Sequence, residues 1–212
     1  MMHATEKKKD ILMPLAGACL SWAGIIIQLT DMLMNRQQPL LASLIKFFSY
    51  FTILTNLLVA IYFTSLLFFK QASITQFFRK YTTTTAITVY ILVVGIIYNL
   101  LLRQIWTFTG WGRISNELLH TITPIYFLWY WFFMVQKSKL HFRSSMYWTL
   151  YPLAYMVYTL IRGTFSHTYP YPFIDVNILG YPRVFINCIG VAAVFLVLFY
   201  IFIVIGNRLQ KK

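Results

Sequence analysis

The sequence predicts an all-α, polytopic membrane protein: a six-transmembrane-helix bundle with both termini cytoplasmic. Three observations lead there. Of 212 residues, 59% are hydrophobic and only 11% charged, more apolar side chain than a soluble domain of this length can bury. The apolar residues gather into runs of about 20, the length that crosses a hydrocarbon core roughly 30 Å thick. The net charge of +13 resides largely in short clusters between those runs, as loop charges do in membrane proteins. That distribution argues against a nucleic-acid partner, which so basic a chain would otherwise suggest.

The first span, 11–33, follows Lys7, Lys8 and Lys9 and carries Asp31 near its end. Its apolar run is too long for a signal-peptide core and lacks a small-residue cleavage site, so it reads as a retained helix. The second, 43–69, holds Thr52, Thr55 and Asn56 and is followed by Lys70, Arg79 and Lys80. The third, 83–102, opens in the threonine run Thr82–Thr85 and ends on Asn99 and Arg103. The fourth, 114–136, begins with Asn116, Glu117 and His120 and is followed by Lys137, Lys139 and Arg143. The fifth, 147–166, ends on Arg162 and His167, and the sixth, 183–206, begins with Arg183 and Asn187 and leads to Arg208, Lys211 and Lys212.

Short connections join these spans into one domain, 1–212, without an internal repeat. Four clusters of three hold 12 of the 18 basic residues, and with six spans all four fall on one side. The positive-inside rule makes that side cytoplasmic. Cys19 and Cys188 lie in apolar segments and form neither a disulfide framework nor a metal-ligand spacing.

This orientation gives each polar residue a depth. Asp31, Asn99, Arg103, Asn116, Glu117, His120, Arg162, His167, Arg183 and Asn187 all fall in the outer half of the bundle. Thr52 and Asn56 are expected roughly 13–20 Å down the second span, and His120 roughly 9 Å down the fourth, at ~1.5 Å per residue. Ionisable groups inside a membrane are costly and face a cavity or a partner. One such residue alone reads as helix-to-helix glue, which suits Asn187 or Thr88; a cluster drawn from five spans favours an outward-opening polar cavity.

Asn116 and His120 stand four apart and share a helix face, as do Glu117 and Thr121, and Thr52 and Asn56. Pro124 frees a backbone carbonyl near position 120. A hydroxyl becomes nucleophilic when a base takes its proton, and histidine is the usual base near neutral pH. Thr52 and His120 are thus the minimum set for acyl transfer, with asparagine amides as oxyanion donors. The chain has no GxSxG elbow, HExxH pair or glycine-rich phosphate loop, which removes serine-hydrolase, zinc-protease and nucleotide-binding readings.

Three segments carry a family likeness: 50-YFTILTNLLVAIYF-63, 116-NELLHTITP-124 and 167-HTYPYPFIDV-176. In them the chain resembles the androgen-induced protein family, intramembrane threonine hydrolases that cleave fatty acid esters of hydroxy fatty acids, and most of all its bacterial branch. The resemblance implies a catalytic threonine and histidine within the membrane: His120, anchored by Asn116, and Thr52. The animal pattern has its acidic or amide residue three positions after the threonine. Here Asn56 follows Thr52 by four, and Thr55 is the alternative nucleophile. Asn99, Arg103, Arg162 and His167 are expected to support substrate or oxyanion, an arginine pairing with a fatty acid carboxylate. The expected protein is therefore a lipid-ester hydrolase of the bacterial cytoplasmic membrane, with its site toward the outer leaflet. It needs no metal or organic cofactor. The alternative is a non-catalytic lipid-binding or transport protein with the same polar cavity.

Overall fold

The computed structural model describes residues 2–210. The chain is 83% helical, and no strand occurs among the described residues. It divides into two compact units, Met1–Gln136 and Lys137–Lys212. Among the described residues, four helical segments are long and apolar enough to cross a membrane: Asp10–Met34, Phe51–Phe68, Tyr81–Leu102 and Val176–Leu209. Of the basic residues that orient the sequence, the side chains of Lys7, Lys8 and Lys9, and the whole of Lys211 and Lys212, lie outside the described residues.

The first unit contains α1 (Met2–Met34), α2 (Leu40–Phe47), α3 (Phe51–Phe68), α4 (Ser73–Arg79), α5 (Tyr81–Ile97), α6 (Gly110–Glu117) and α7 (Thr123–Met134). Two π-helical turns complete it: Tyr98–Leu102 continues α5, and Leu118–Ile122 joins α6 to α7 end to end. The span expected over 43–69 is interrupted. The backbone leaves helical geometry at Tyr50, which is extended (φ −83°, ψ 128°). Helix α3 accordingly starts at Phe51. Thr52 therefore lies in the first turn of α3 and not two turns into a longer helix.

Small residues let α1 approach its neighbours. A Cβ on Gly17 would lie 2.3 Å from Phe63 Cε2, and one on Gly24 would lie 2.9 Å from Leu119 Cδ2. Close approach of this kind is how helices associate where lipid removes the hydrophobic drive between them. Trp22 Nε1 also donates to Thr64 Oγ1 at 3.0 Å, tying α1 to α3. Deeper in the unit, Phe63 meets Phe127 and Tyr130 at ring-centroid distances of 5.3 and 5.0 Å. Trp131, fully buried, donates to Thr85 Oγ1 at 3.0 Å. Helix α5, the most enclosed of the long helices, packs against both α3 and α7.

The second unit contains α8 (Phe142–Ser145), α9 (Leu150–Ser166), α10 (Val176–Leu209) and 3₁₀ turns at Met146–Thr149 and Pro172–Ile174. Asn207 holds both backbone groups of Leu140: its Oδ1 accepts from Leu140 N–H at 2.8 Å and its Nδ2 donates to Leu140 C=O at 2.9 Å. The α10 stretch is kinked at Gly180 (φ 71°, ψ 159°), a conformation that glycine alone adopts readily. Ile178, Phe185 and Ile186 are among its exposed apolar side chains, the surface expected of a lipid-facing helix.

Candidate functional site

The two π turns face each other, and the polar residues of the first unit are the links between them. In an α-helix the Leu119 carbonyl accepts from the N–H of residue 123, and the His120 carbonyl from residue 124. Here Thr123 N–H goes instead to Leu118, five residues back, and residue 124 is a proline without an N–H. Both carbonyls lose their helical donors, and a buried carbonyl left unpaired costs about 1–3 kcal/mol. Two asparagines from other helices replace those donors. Asn56 Nδ2 reaches Leu119 O at 3.1 Å, and Asn99 Nδ2 reaches His120 O at 3.2 Å.

Each of these amides has its other hydrogen occupied as well. Asn56 Nδ2 donates to Thr52 O at 2.9 Å, and Asn99 Nδ2 to Gly95 O at 2.8 Å. Both amide hydrogens of each are thus engaged, and an oxyanion role for either would require one of these bonds to give way. Asn56 Oδ1 is buried and unpartnered; an oxygen can only accept, so it can receive a bond from a hydroxyl or water. The close approach of α5 to the second π turn depends on Gly95, where a Cβ would lie 3.0 Å from His120 O and 3.2 Å from Pro124 Cβ.

His120 is 9% exposed and Asn116 4%. The His120 Nδ1 bonds to the Asn116 backbone carbonyl at 2.9 Å. A carbonyl only accepts, so Nδ1 carries the proton and Nε2 the lone pair. The anchoring of His120 by Asn116 is thus present, but it runs through the backbone and not the side-chain amide. That amide donates to the Tyr98 hydroxyl, leaving one amide hydrogen on Asn116. The Tyr98 ring stacks on the imidazole, with centroids 3.9 Å apart and planes 26° from parallel.

Arg103 closes the exposed edge. Its Nη1 and Nη2 meet Glu117 Oε1 and Oε2 at 2.6 and 2.8 Å, its Nη2 also reaches Thr121 Oγ1 at 3.0 Å, and its Nε donates to Asn99 Oδ1 at 2.7 Å. The Glu117 carboxylate raises the Arg103 pKa further. The Arg103 guanidinium is thus already paired with a carboxylate of the chain itself. Glu117 and Thr121 do share a face, and Arg103 is what they share it for.

Thr52 and Thr55 are both buried on α3. The Asn56 amide joins the Thr52 carbonyl to that of Leu119, the residue before His120. Arg162 and His167 belong to the second unit and are engaged locally. Arg162 Nη2 donates to Thr168 Oγ1 at 3.1 Å, and the His167 carbonyl accepts from Asn177 Nδ2 at 3.0 Å. His167 ends α9 in the left-handed conformation, φ 51°. Asn187 bonds the Phe173 carbonyl at 2.8 Å, so it fastens the YPYPF loop.

Sequence reasoning missed Tyr98 and Gly95. A tyrosine in an apolar run reads as core; only its position one residue before Asn99, on the turn that faces His120, hints otherwise. Among the described residues, no three His, Cys, Asp or Glu side chains gather as a metal site requires. Comparison with known protein families, characterised proteins and solved structures finds no match to this chain.

Proposed function

We propose that the protein is a six-span hydrolase of the bacterial cytoplasmic membrane that cleaves a lipid ester at a site toward the outer leaflet. On this reading the segments 114–136 and 147–166 are the two further spans, and both termini are cytoplasmic. The substrate is a fatty acid ester of a hydroxy fatty acid or a related acyl lipid. Three segments that resemble the androgen-induced protein family support it, but one observation carries it: a buried histidine held as the Nδ1–H tautomer, with its Nε2 lone pair free to act as base.

Thr52 Oγ attacks the ester carbonyl as its proton passes to His120 Nε2. The tetrahedral intermediate collapses, the C–O bond to the alcohol breaks, and the leaving oxygen takes that proton. Water then gives a proton to Nε2, attacks the acyl-threonine and releases the acid, and the proton returns to Thr52. Asn116, with an amide hydrogen left, is the oxyanion donor in this scheme. Thr55 takes the place of Thr52 if the covalent intermediate forms there.

The test is turnover of a long-chain ester by the purified protein in detergent, with wild type, Thr52→Ala, Thr55→Ala and His120→Ala compared. Loss of turnover in His120→Ala and one threonine variant, with an acyl or phosphonyl adduct on that threonine, supports the reading. Undiminished turnover in all three variants sinks this catalytic assignment, and a wild type that turns over no ester leaves a lipid-binding protein as the better account.

A further inference from the structure

We propose that Tyr98 is the positioning residue for His120, fixing both the orientation and the tautomer of its imidazole; this rests on His120 being the base. A base must hold one ring nitrogen protonated and aim the other at the nucleophile. The Asn116 carbonyl selects protonation at Nδ1, but one hydrogen bond does not stop an imidazole from rocking about it. Two contacts of Tyr98 do. Its ring lies flat on the imidazole at 3.9 Å, blocking rotation out of that plane. Its hydroxyl accepts from the Asn116 amide, so the residue that supplies the carbonyl is itself pinned to Tyr98.

The phenol therefore acts on the imidazole twice, once by contact and once through Asn116. Its own position is determined by the first π turn, where Arg103 N–H bonds Tyr98 O at 2.8 Å, five residues back. The Arg103 guanidinium then lies over the Tyr98 ring at 5.4 Å. Tyr98 is 2% exposed, and apolar packing alone would be served equally by phenylalanine. The hydroxyl bond to Asn116 is what packing does not explain.

The two roles separate in substitutions. Tyr98→Phe keeps the ring contact and removes the link to Asn116; Tyr98→Leu removes both. The experiment combines ester turnover with ¹⁵N NMR of histidine-labelled protein in micelles, the His120 signals being assigned by their loss in His120→Gln. Expected are a fall in kcat of about tenfold for Tyr98→Phe and about 100-fold for Tyr98→Leu, with KM unchanged. In the same spectra, the single Nδ1–H tautomer of wild type gives way to a mixture in Tyr98→Phe. Folded variants that keep both wild-type kcat and a single tautomer overturn the proposal, and Tyr98→Phe alone decides it if Tyr98→Leu does not fold. A wild type that turns over no ester overturns the hydrolase reading, whereas the tautomer spectra still decide whether Tyr98 holds His120.

Discussion

The polar residues around His120 and those around the YPYPF loop look alike in sequence, yet they are used differently. Around His120 the bonds join distant parts of the chain: Asn56 to Leu119 across 63 residues, Asn99 to His120 across 21, and Arg103 to Glu117 across 14. Around the loop, Arg162 reaches only six residues to Thr168 and Asn177 ten residues back to His167, and the longest reach, Asn187 to Phe173, is 14. Local bonds shape a turn, and most of them are exposed. Long-range bonds to freed carbonyls hold a helix in a form that its own backbone does not favour. π turns of this sort recur at functional sites, and here two of them meet at a histidine.

The largest effects should test that contrast at the chemistry. His120→Gln is expected to lower ester turnover by at least about 10³-fold, whereas Arg162→Ala and His167→Gly should leave it within about threefold of wild type. His167→Gly should not destabilise, since glycine accepts the left-handed conformation without strain. A large loss of turnover in Arg162→Ala would bring the loop into the site and erase the contrast.

Next in size are the asparagines. Asn56→Leu or Asn99→Leu leaves a buried carbonyl unpaired and should cost about 1–3 kcal/mol each, read as a lowered melting temperature in detergent. Asn177→Ala, in the exposed first turn of α10, should cost less than half of that. Arg103→Gln is smaller still. The pair is 40% and 33% exposed, and such bridges contribute about 0.2–1 kcal/mol and fade with salt. Added salt should therefore narrow the gap between Arg103→Gln and wild type.

How much of this was legible follows from the length scale of each signal. Apolar runs give helices directly, and i, i+4 spacing correctly paired Asn116 with His120 and Glu117 with Thr121. The break before Phe51 was not legible, because the run from 43 to 69 stays largely apolar through it and carries no proline or glycine where Tyr50 turns extended. Pro124 did announce a freed carbonyl. What it could not announce is the second one, at Leu119, because that depends on where Thr123 N–H goes and on Asn56 arriving from another helix. The role of Tyr98 is hidden for the same reason: its partners are 18 and 22 positions away.

Pro124→Ala probes that hidden step and should be the mildest change in stability. Alanine restores an N–H at 124, which can bond the His120 carbonyl as in an ordinary α-helix. Asn99 would then compete with the backbone for the His120 carbonyl, while keeping its other bond to the Gly95 carbonyl. The helix gains propensity and loses an inserted residue, so melting should change by less than about 1 kcal/mol in either direction. Turnover should nevertheless fall, because removing the π turn rotates His120 relative to Tyr98. A variant as stable as wild type but less active would show that the π turn serves the histidine and not the fold. Equal activity at equal stability would mean that the turn is only the mark left by a proline.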